Sequence, residues 1–267
     1  MLKLAVIGKD VSKSTSPRMH TFIAEHMGNA ISYEALSVPE EDFENRIDAL
    51  LTKYDGLNVT IPYKLSVIPH LKKIEGDATV FGAVNTLLTS TLTGYNTDGL
   101  GFMLMLKNNG VEVKGKKVAL LGAGGAGRAV AKKLASAGAC VFVYDKFSQN
   151  AIKLATEFRD ITVLNNLTPA NYDIVINATG IGMHNTEGTS PVGEDFLIGS
   201  NVAVDLIYVP EKSEFLRIAQ SLGKKIINGE AMLFYQAYYA QCIYFNITPD
   251  ENQAKKLFEM YIKEVRK

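Results

Sequence analysis

Tryptophan is absent from this 267-residue chain, cysteine occurs twice and histidine four times. The two cysteines, Cys140 and Cys242, lie far apart and outside any CxxC spacing, which argues against a disulfide scaffold and a thiolate metal site. Both fall in apolar runs, so two buried, reduced thiols are expected. His20, His26, His70 and His184 are scattered without an HxxxH pair, and no metal centre is predicted. No GxSxG elbow, Walker loop or HExxH helix occurs, and neither cysteine has the partner pattern of a catalytic nucleophile. Net charge is missing as well: Lys plus Arg and Asp plus Glu number 28 each. No global field therefore draws the chain to nucleic acid or to an anionic membrane. With no apolar run of membrane-spanning length and no leader-like N-terminus, the expectation is a cytoplasmic protein whose partner is a small molecule.

What is present is an ordinary globular composition, 47% hydrophobic, with one informative motif in an unusual place. Gly122-Ala123-Gly124-Gly125-Ala126-Gly127 follows the apolar run Lys117–Leu121 and precedes the helix-like Arg128–Ala135. That is the strand, glycine turn and helix start of a dinucleotide-binding unit. Gly122 serves the tight turn, Gly124 the approach of backbone to pyrophosphate, and Gly127 the packing of helix on strand. The helix N-terminus adds free N–H groups and the positive end of its dipole. A second strand, Ala139–Tyr144, ends in Asp145, near the spacing expected of a ribose-binding acid. Strand-like runs continue at Ile161–Leu164, Asp173–Thr179, Asn201–Tyr208 and Lys225–Asn228, and helices are expected over Ala231–Tyr244 and Pro249–Val265.

The unit begins late, so roughly a hundred residues before it must supply something other than cofactor binding. They alternate strand and helix: Leu2–Ile7, a helix with Ser16 as N-cap, Pro17 at its first position and Gly28 past its end, then Ile31–Val38. A helix over Pro39–Leu51, a strand over Gly56–Thr60, a helix from Pro62 and a strand over Ala83–Leu88 follow. This is βαβ logic and predicts a mainly parallel sheet. Two sheets joined by a helix over Leu100–Asn108 are expected to leave a cleft between them.

Within this front half, Asn58-Val-Thr60-Ile-Pro-Tyr-Lys64 sets a lysine in the first turn of the expected helix. A cation at the positive end of a dipole is disfavoured, which suits a group that gives up a proton; a solvated surface lysine is the other reading. Asn96-Thr97-Asp98 places an acid at the mouth of the connecting helix, as N-cap or as functional carboxylate. Ser16 is accounted for as a cap, whereas Ser14 has no structural duty visible in the sequence.

Taken in order, these segments resemble the shikimate dehydrogenase family over nearly the whole chain. Ser14-Thr-Ser16-Pro-Arg-Met-His20 resembles its SxSPxxH segment and Asn58–Lys64 its NVTxPxK segment. Gly82–Thr86, Asn96–Gly99, the glycine turn, Asn177–Met183, Asp205–Pro210 and Gly229–Gln236 match further family segments. The resemblance implies an α/β protein of two α/β domains. A substrate domain of residues 1–100 plus 233–267 would carry the mainly parallel sheet, and residues 101–232 a Rossmann dinucleotide domain, with the cleft between. The implied activity is reversible NADPH-linked reduction of 3-dehydroshikimate to shikimate, a step of aromatic amino-acid biosynthesis. Lys64 and Asp98 would be the catalytic pair. Ser14, Ser16, Thr60, Asn85, Tyr208 and Gln236 would contact substrate. Gly122, Gly124, Gly125, Ala126, Gly127, Asp145, Lys146, Thr179, Gly229 and Met232 would hold the cofactor, and no metal is implied.

One departure bears on that cofactor. The family usually has Asn-Arg-Thr after the second Rossmann strand and often an arginine shortly after; this chain has Asp145-Lys146-Phe147 and Asn150. An acid suits a ribose 2′-hydroxyl and repels a 2′-phosphate, while Lys146 attracts one only as a point charge. NADP is thus the family default, with weakened preference and NAD or dual use expected. Quinate or an amino-shikimate are alternative substrates, a silent dinucleotide-binding regulator is an alternative of another class, and either a monomer or a homodimer is compatible with the sequence.

Overall fold

An apolar run that leaves Leu4–Gly8 entirely buried forms β1 (Leu2–Gly8). A strand buried on both faces belongs inside a sheet, and β1 pairs in parallel with β2 (Ile31–Ser37) and β3 (Gly56–Val59). The connections are α1 (Ser16–His26) and α2 (Phe43–Lys53), the latter entered through a 3₁₀ turn at Glu40–Asp42 rather than as one helix from Pro39. The sheet continues through β4 (Lys73–Ile74), β5 (Thr86–Leu88) and β6 (Thr93–Tyr95), with the short α3 (Asp77–Phe81) between β4 and β5. Its strand order is β2-β1-β3-β5-β6-β4. Three pairings are parallel and two, β3–β5 and β5–β6, are antiparallel. The antiparallel part departs from simple βαβ logic because Thr89–Leu92 is far too short for the crossover that parallel strands require.

The structure is a computed structural model describing residues 1–265. It separates into two units, Met1–Leu104 with the chain from Leu233 onward, and Met105–Met232. One face of the first sheet packs Ile7, Leu57 and Val59 against Phe43, Ile47 and Leu50 of α2. The other face carries α9 (Glu230–Phe245), whose Ala240 and Tyr244 pack with Leu4. α10 (Glu251–Val265) closes this layer through aromatic contacts: Tyr261 meets Phe22 of α1 at 5.2 Å and Phe258 meets Phe234 of α9 at 5.4 Å, centroid to centroid.

His20 lies inside this layer, 1% exposed, stacked on Tyr33 at 4.4 Å and bonded at Nδ1 to Gln241 Nε2 at 2.7 Å. Burial pushes its imidazole down to about 3. The unfolded chain, with an ordinary histidine near 6.5, takes up that proton first, so the associated stability is present above pH 6.5 and is lost as pH falls toward 3. Urea unfolding between pH 7 and 4 should show a loss attributable to this group of up to about 1.4 kcal/mol per pH unit. His20→Gln should flatten that component; equal slopes for both proteins would contradict it.

The second unit contains β7 (Lys117–Leu121), α5 (Gly125–Ser136), β8 (Cys140–Tyr144), α6 (Ser148–Glu157), β9 (Ile161–Val163) and β10 (Ile174–Asn177). These are followed by α7 (Glu194–Leu197), β11 (Val202–Asp205), α8 (Glu214–Ser221) and β12 (Lys225–Ile227). α4 (Asp98–Asn108) leads into it. All five pairings are parallel, in the order β12-β11-β10-β7-β8-β9. This is the doubly wound order of a dinucleotide-binding sheet, with its switch between β7 and β10. Val175, Ala203, Phe215 and Phe196 are central to its core.

The cysteine expectation holds only in half. Cys242 is buried, and burial pushes its thiol up to about 11. Cys140 is exposed because it opens β8 immediately after the Gly138 turn, where the strand has not yet entered the core. Ellman's reagent should therefore titrate one thiol in the native protein and two in guanidinium; two fast native thiols would contradict this burial.

Candidate active site

After β3 the chain does not become helical at Pro62. Residues 61–67 wind through successive turns, and only Ile68–His70 form a 3₁₀ turn. Proline at 62 and again at 69 leaves too short a stretch for a stable helix. Buried Tyr63 and Val67 instead tie the segment to the core, Tyr63 stacking on Phe43 at 4.2 Å. The helix-dipole argument for Lys64 therefore has no helix to act through. What places Lys64 is its backbone carbonyl, which accepts the Val84 N–H at 2.8 Å and sets the lysine beside Asn85.

Asp98 is the first residue of α4 rather than its cap. The Gly101 N–H reaches the Thr97 carbonyl at 2.9 Å, and the Asp98 N–H is taken by Asn96 Oδ1 at 3.0 Å. Its carboxylate faces two side chains: Oδ2 accepts from Lys64 Nζ at 2.6 Å and Oδ1 from Asn85 Nδ2 at 2.8 Å. The Lys64 and Asp98 side chains are 21% and 12% exposed. They are thus screened from bulk water but not sealed from a ligand. Asn85 Nδ2 also meets Gln236 Oε1 at 3.2 Å, and Gln236 donates to the Leu233 carbonyl. Lys64, Asp98, Asn85 and Gln236 form one connected polar set.

Ser14 and Thr60 follow β1 and β3, which are parallel, so both lie past the carboxyl ends of their strands, where α/β sheets bind ligands. Both are partly buried, as is Ser16. Ser16 is not the N-cap. Thr15 holds that position without a side-chain bond, and the Ser14 hydroxyl accepts the Ser16 N–H at 3.2 Å. Ser14 thus has the structural duty that the sequence did not reveal.

In the second unit Gly122 has φ +101°, a conformation costly for any side chain, and a Cβ on Gly127 would collide with the Gly122 carbonyl. Gly124, Gly125 and Ala126 are exposed, and a Cβ at either glycine would meet nothing within 4 Å. The turn therefore opens the α5 N-terminus to solvent, and these residues fit a pyrophosphate. The Thr179 hydroxyl donates to Asn177 Oδ1 at 2.6 Å. Gly229 is buried against the Leu206 carbonyl, and Met232 is 8% exposed. Tyr208 is 37% exposed and belongs to this second unit, and Lys146 is exposed.

Asp145 does more than the sequence implied. Its Oδ2 accepts the Ala123 N–H at 2.7 Å; its Oδ1 accepts the Phe147 N–H at 2.8 Å and Asn150 Nδ2 at 3.2 Å. It clamps the glycine turn to the end of β8. A carboxylate offers about four acceptor sites, so roughly one remains for a ribose hydroxyl. Sequence reasoning also missed Asp205, buried at the end of β11, where burial pushes its carboxyl up. It accepts from Ser213 Oγ, the Ile207 N–H and Asn177 Nδ2. An acid closing an otherwise apolar strand was the available signal.

Residues 6–87 match the family described as the shikimate dehydrogenase substrate binding domain. Residues 100–184 match the NAD binding domain of D-isomer specific 2-hydroxyacid dehydrogenases. A shikimate dehydrogenase (NADP(+)) of Carboxydothermus hydrogenoformans is 37% identical over 94% of each chain. The solved shikimate 5-dehydrogenase of Thermus thermophilus, in complex with NADP(H) and shikimate, is 35% identical with a TM-score of 0.88, covering 97% of this chain and 99% of that one. The Listeria monocytogenes enzyme, in complex with shikimate and NAD, is 27% identical with a TM-score of 0.84 and covers 96% of both. Identity of this extent, spanning both units and the lysine–aspartate site, means that the chain belongs to the shikimate dehydrogenase family.

Proposed function

We propose that this chain is a shikimate dehydrogenase, interconverting shikimate and 3-dehydroshikimate with a nicotinamide cofactor. The observation that carries the reading is the 2.6 Å Lys64–Asp98 pair, joined to Asn85 and Gln236 in a unit whose sequence matches a shikimate-binding family. Dinucleotide binding alone requires none of these four. A bound nicotinamide supplies or accepts the hydride. Lys64 holds the proton at the oxygen that alternates between carbonyl and hydroxyl: its ammonium donates during reduction, and its amine accepts during oxidation. Asp98 orients that amine through Oδ2. Asn85 and Gln236 are assigned to ring hydroxyls. Ser14, Ser16 and Thr60 are assigned to the substrate carboxylate, which hydroxyl donors can hold without a buried arginine; Tyr208 is a further substrate contact. Gly122 to Gly127, with Thr179, Gly229 and Met232, are assigned to the cofactor.

Lys64→Ala should lose roughly 10²- to 10⁴-fold in kcat, the range for removal of a general acid–base group, with a much smaller change in shikimate KM. Wild-type turnover in this variant would refute the proton-transfer role.

NADP is the cofactor of the Carboxydothermus and Thermus relatives, and NAD accompanies shikimate in the Listeria relative. For this chain we infer NADP use with a weakened preference over NAD. Asp145 keeps a carboxylate near the expected ribose, and the only cation in the adjoining Lys146-Phe147 pair is a flexible lysine. A grid of kcat/KM values for NADP and NAD, each with shikimate and quinate, measures both cofactor and substrate preference. Asp145→Asn should move the ratio toward NADP, and a strongly NADP-selective wild type would count against the inference.

A further inference from the structure

Beneath the Lys64–Asp98 pair runs a series of hydrogen bonds that all point one way. It starts at Asn58, buried in β3, whose Oδ1 accepts from the phenols of Tyr33 at 2.7 Å and Tyr244 at 3.0 Å. Burial pushes both phenols well above their ordinary range, so they keep their protons and act as donors to Asn58. With its oxygen so engaged, Asn58 turns Nδ2 toward the Asn85 carbonyl and Thr86 Oγ1, each at 3.2 Å. The Thr86 hydroxyl, fully buried, accepts that bond and donates its own to Asn85 Oδ1 at 2.9 Å. The Thr97 N–H meets the same oxygen at 2.9 Å. The Asn85 amide nitrogen is left facing Asp98 Oδ1 at 2.8 Å, Thr97 Oγ1 at 3.0 Å and Gln236 Oε1 at 3.2 Å.

An amide has nearly the same shape in its two flipped states, so its partners alone decide which end faces which neighbour. Reversal of Asn85 would set its oxygen against the Asp98 carboxylate and its nitrogen against the Thr97 N–H, like against like at both ends. The phenols prevent the corresponding reversal of Asn58, and Thr86 conveys that choice to Asn85.

We propose that Asn58 and Thr86 are positioning residues: they fix the Asn85 amide so that it holds Asp98 Oδ1, which aims Oδ2 at Lys64. This rests on the reading of Lys64 and Asp98 as the proton-handling pair, and it adds two side chains that lie one and two hydrogen bonds behind Asn85. None of the network's members comes from outside the first unit.

Thr86 allows hydroxyl and shape to be tested apart. Thr86→Val keeps the shape and removes the hydroxyl; Thr86→Ser keeps the hydroxyl and removes a methyl. If the hydroxyl directs the site, Thr86→Val lowers kcat roughly tenfold, as expected for one lost hydrogen bond of ordinary strength, while shikimate KM changes less and Thr86→Ser stays close to wild type. If Thr86 merely fills space, the order reverses, with Thr86→Ser impaired and Thr86→Val normal. That reversal, or wild-type kcat in Thr86→Val, overturns the proposal. Should Thr86→Val not fold, Tyr33→Phe/Tyr244→Phe takes its place: it preserves both rings, should also lower kcat by several-fold, and overturns the proposal if kcat is unchanged. Wild-type turnover of shikimate is measured in parallel. An inactive wild type would defeat the functional reading itself, whereas an active wild type with an unimpaired Thr86→Val would defeat only this inference.

Discussion

A lysine ammonium and a carboxylate held at 2.6 Å and largely withdrawn from water form the interaction on which the rest of the first unit depends. Such a pair is costly to desolvate, and its mutual attraction offsets that cost only when geometry is good and the remaining acceptor sites are filled. Here the second carboxylate oxygen is filled by Asn85, and Asn85 is itself saturated by Thr86, Thr97 and Gln236. The polar interior is therefore satisfied outward from the site. The mixed sheet is what makes this possible. The β5–β6 hairpin returns the chain within a few residues, so that Asn85, just before β5, and Asp98, just after β6, meet although thirteen positions separate them.

The second unit solves a different problem, presenting backbone rather than side chains. A turn that exposes Gly124 and Gly125 and has no side chain larger than alanine has little packing of its own to stabilise it, and loops of that kind are mobile unless tied down. Asp145 ties it, since the Ala123 N–H bonds to a carboxylate at the end of the neighbouring strand. The acid thereby has a structural role beside the ribose contact proposed for it. This explains why its replacement of the family's usual residue is not a simple exchange of one ribose contact for another.

Among the buried aromatic groups, tyrosines carry a second duty. Tyr33 and Tyr244 pack with the sheet face covered by α9, and their hydroxyls also anchor Asn58. Tyr238 binds the Asp250 carbonyl and so ties the turn between α9 and α10. Packing and polar satisfaction are met by the same side chains.

Much was legible in the linear chain. Local chemistry alone marks the glycine turn, the parallel strands of the second unit and Pro17 at the start of α1, because turns, strand runs and helix starts are written in short-range residue preferences. The short-range signals failed where tertiary contacts overrode them. Pro62 suggested a helix, but buried Tyr63 and Val67 drew the segment into turns; Ser16 suggested a cap, but Thr15 holds that position; Cys140 suggested a core position, but it opens its strand before the chain enters the core. Asn58 and Thr86 read as ordinary strand residues because hydrogen-bond direction depends on partners distant in sequence. What the sequence determined by itself was which elements form and which residues are chemically able to act. Only the tertiary structure decided which way each amide and hydroxyl points, since that is set by donors and acceptors brought together from β2, β3, β5, α4 and α9.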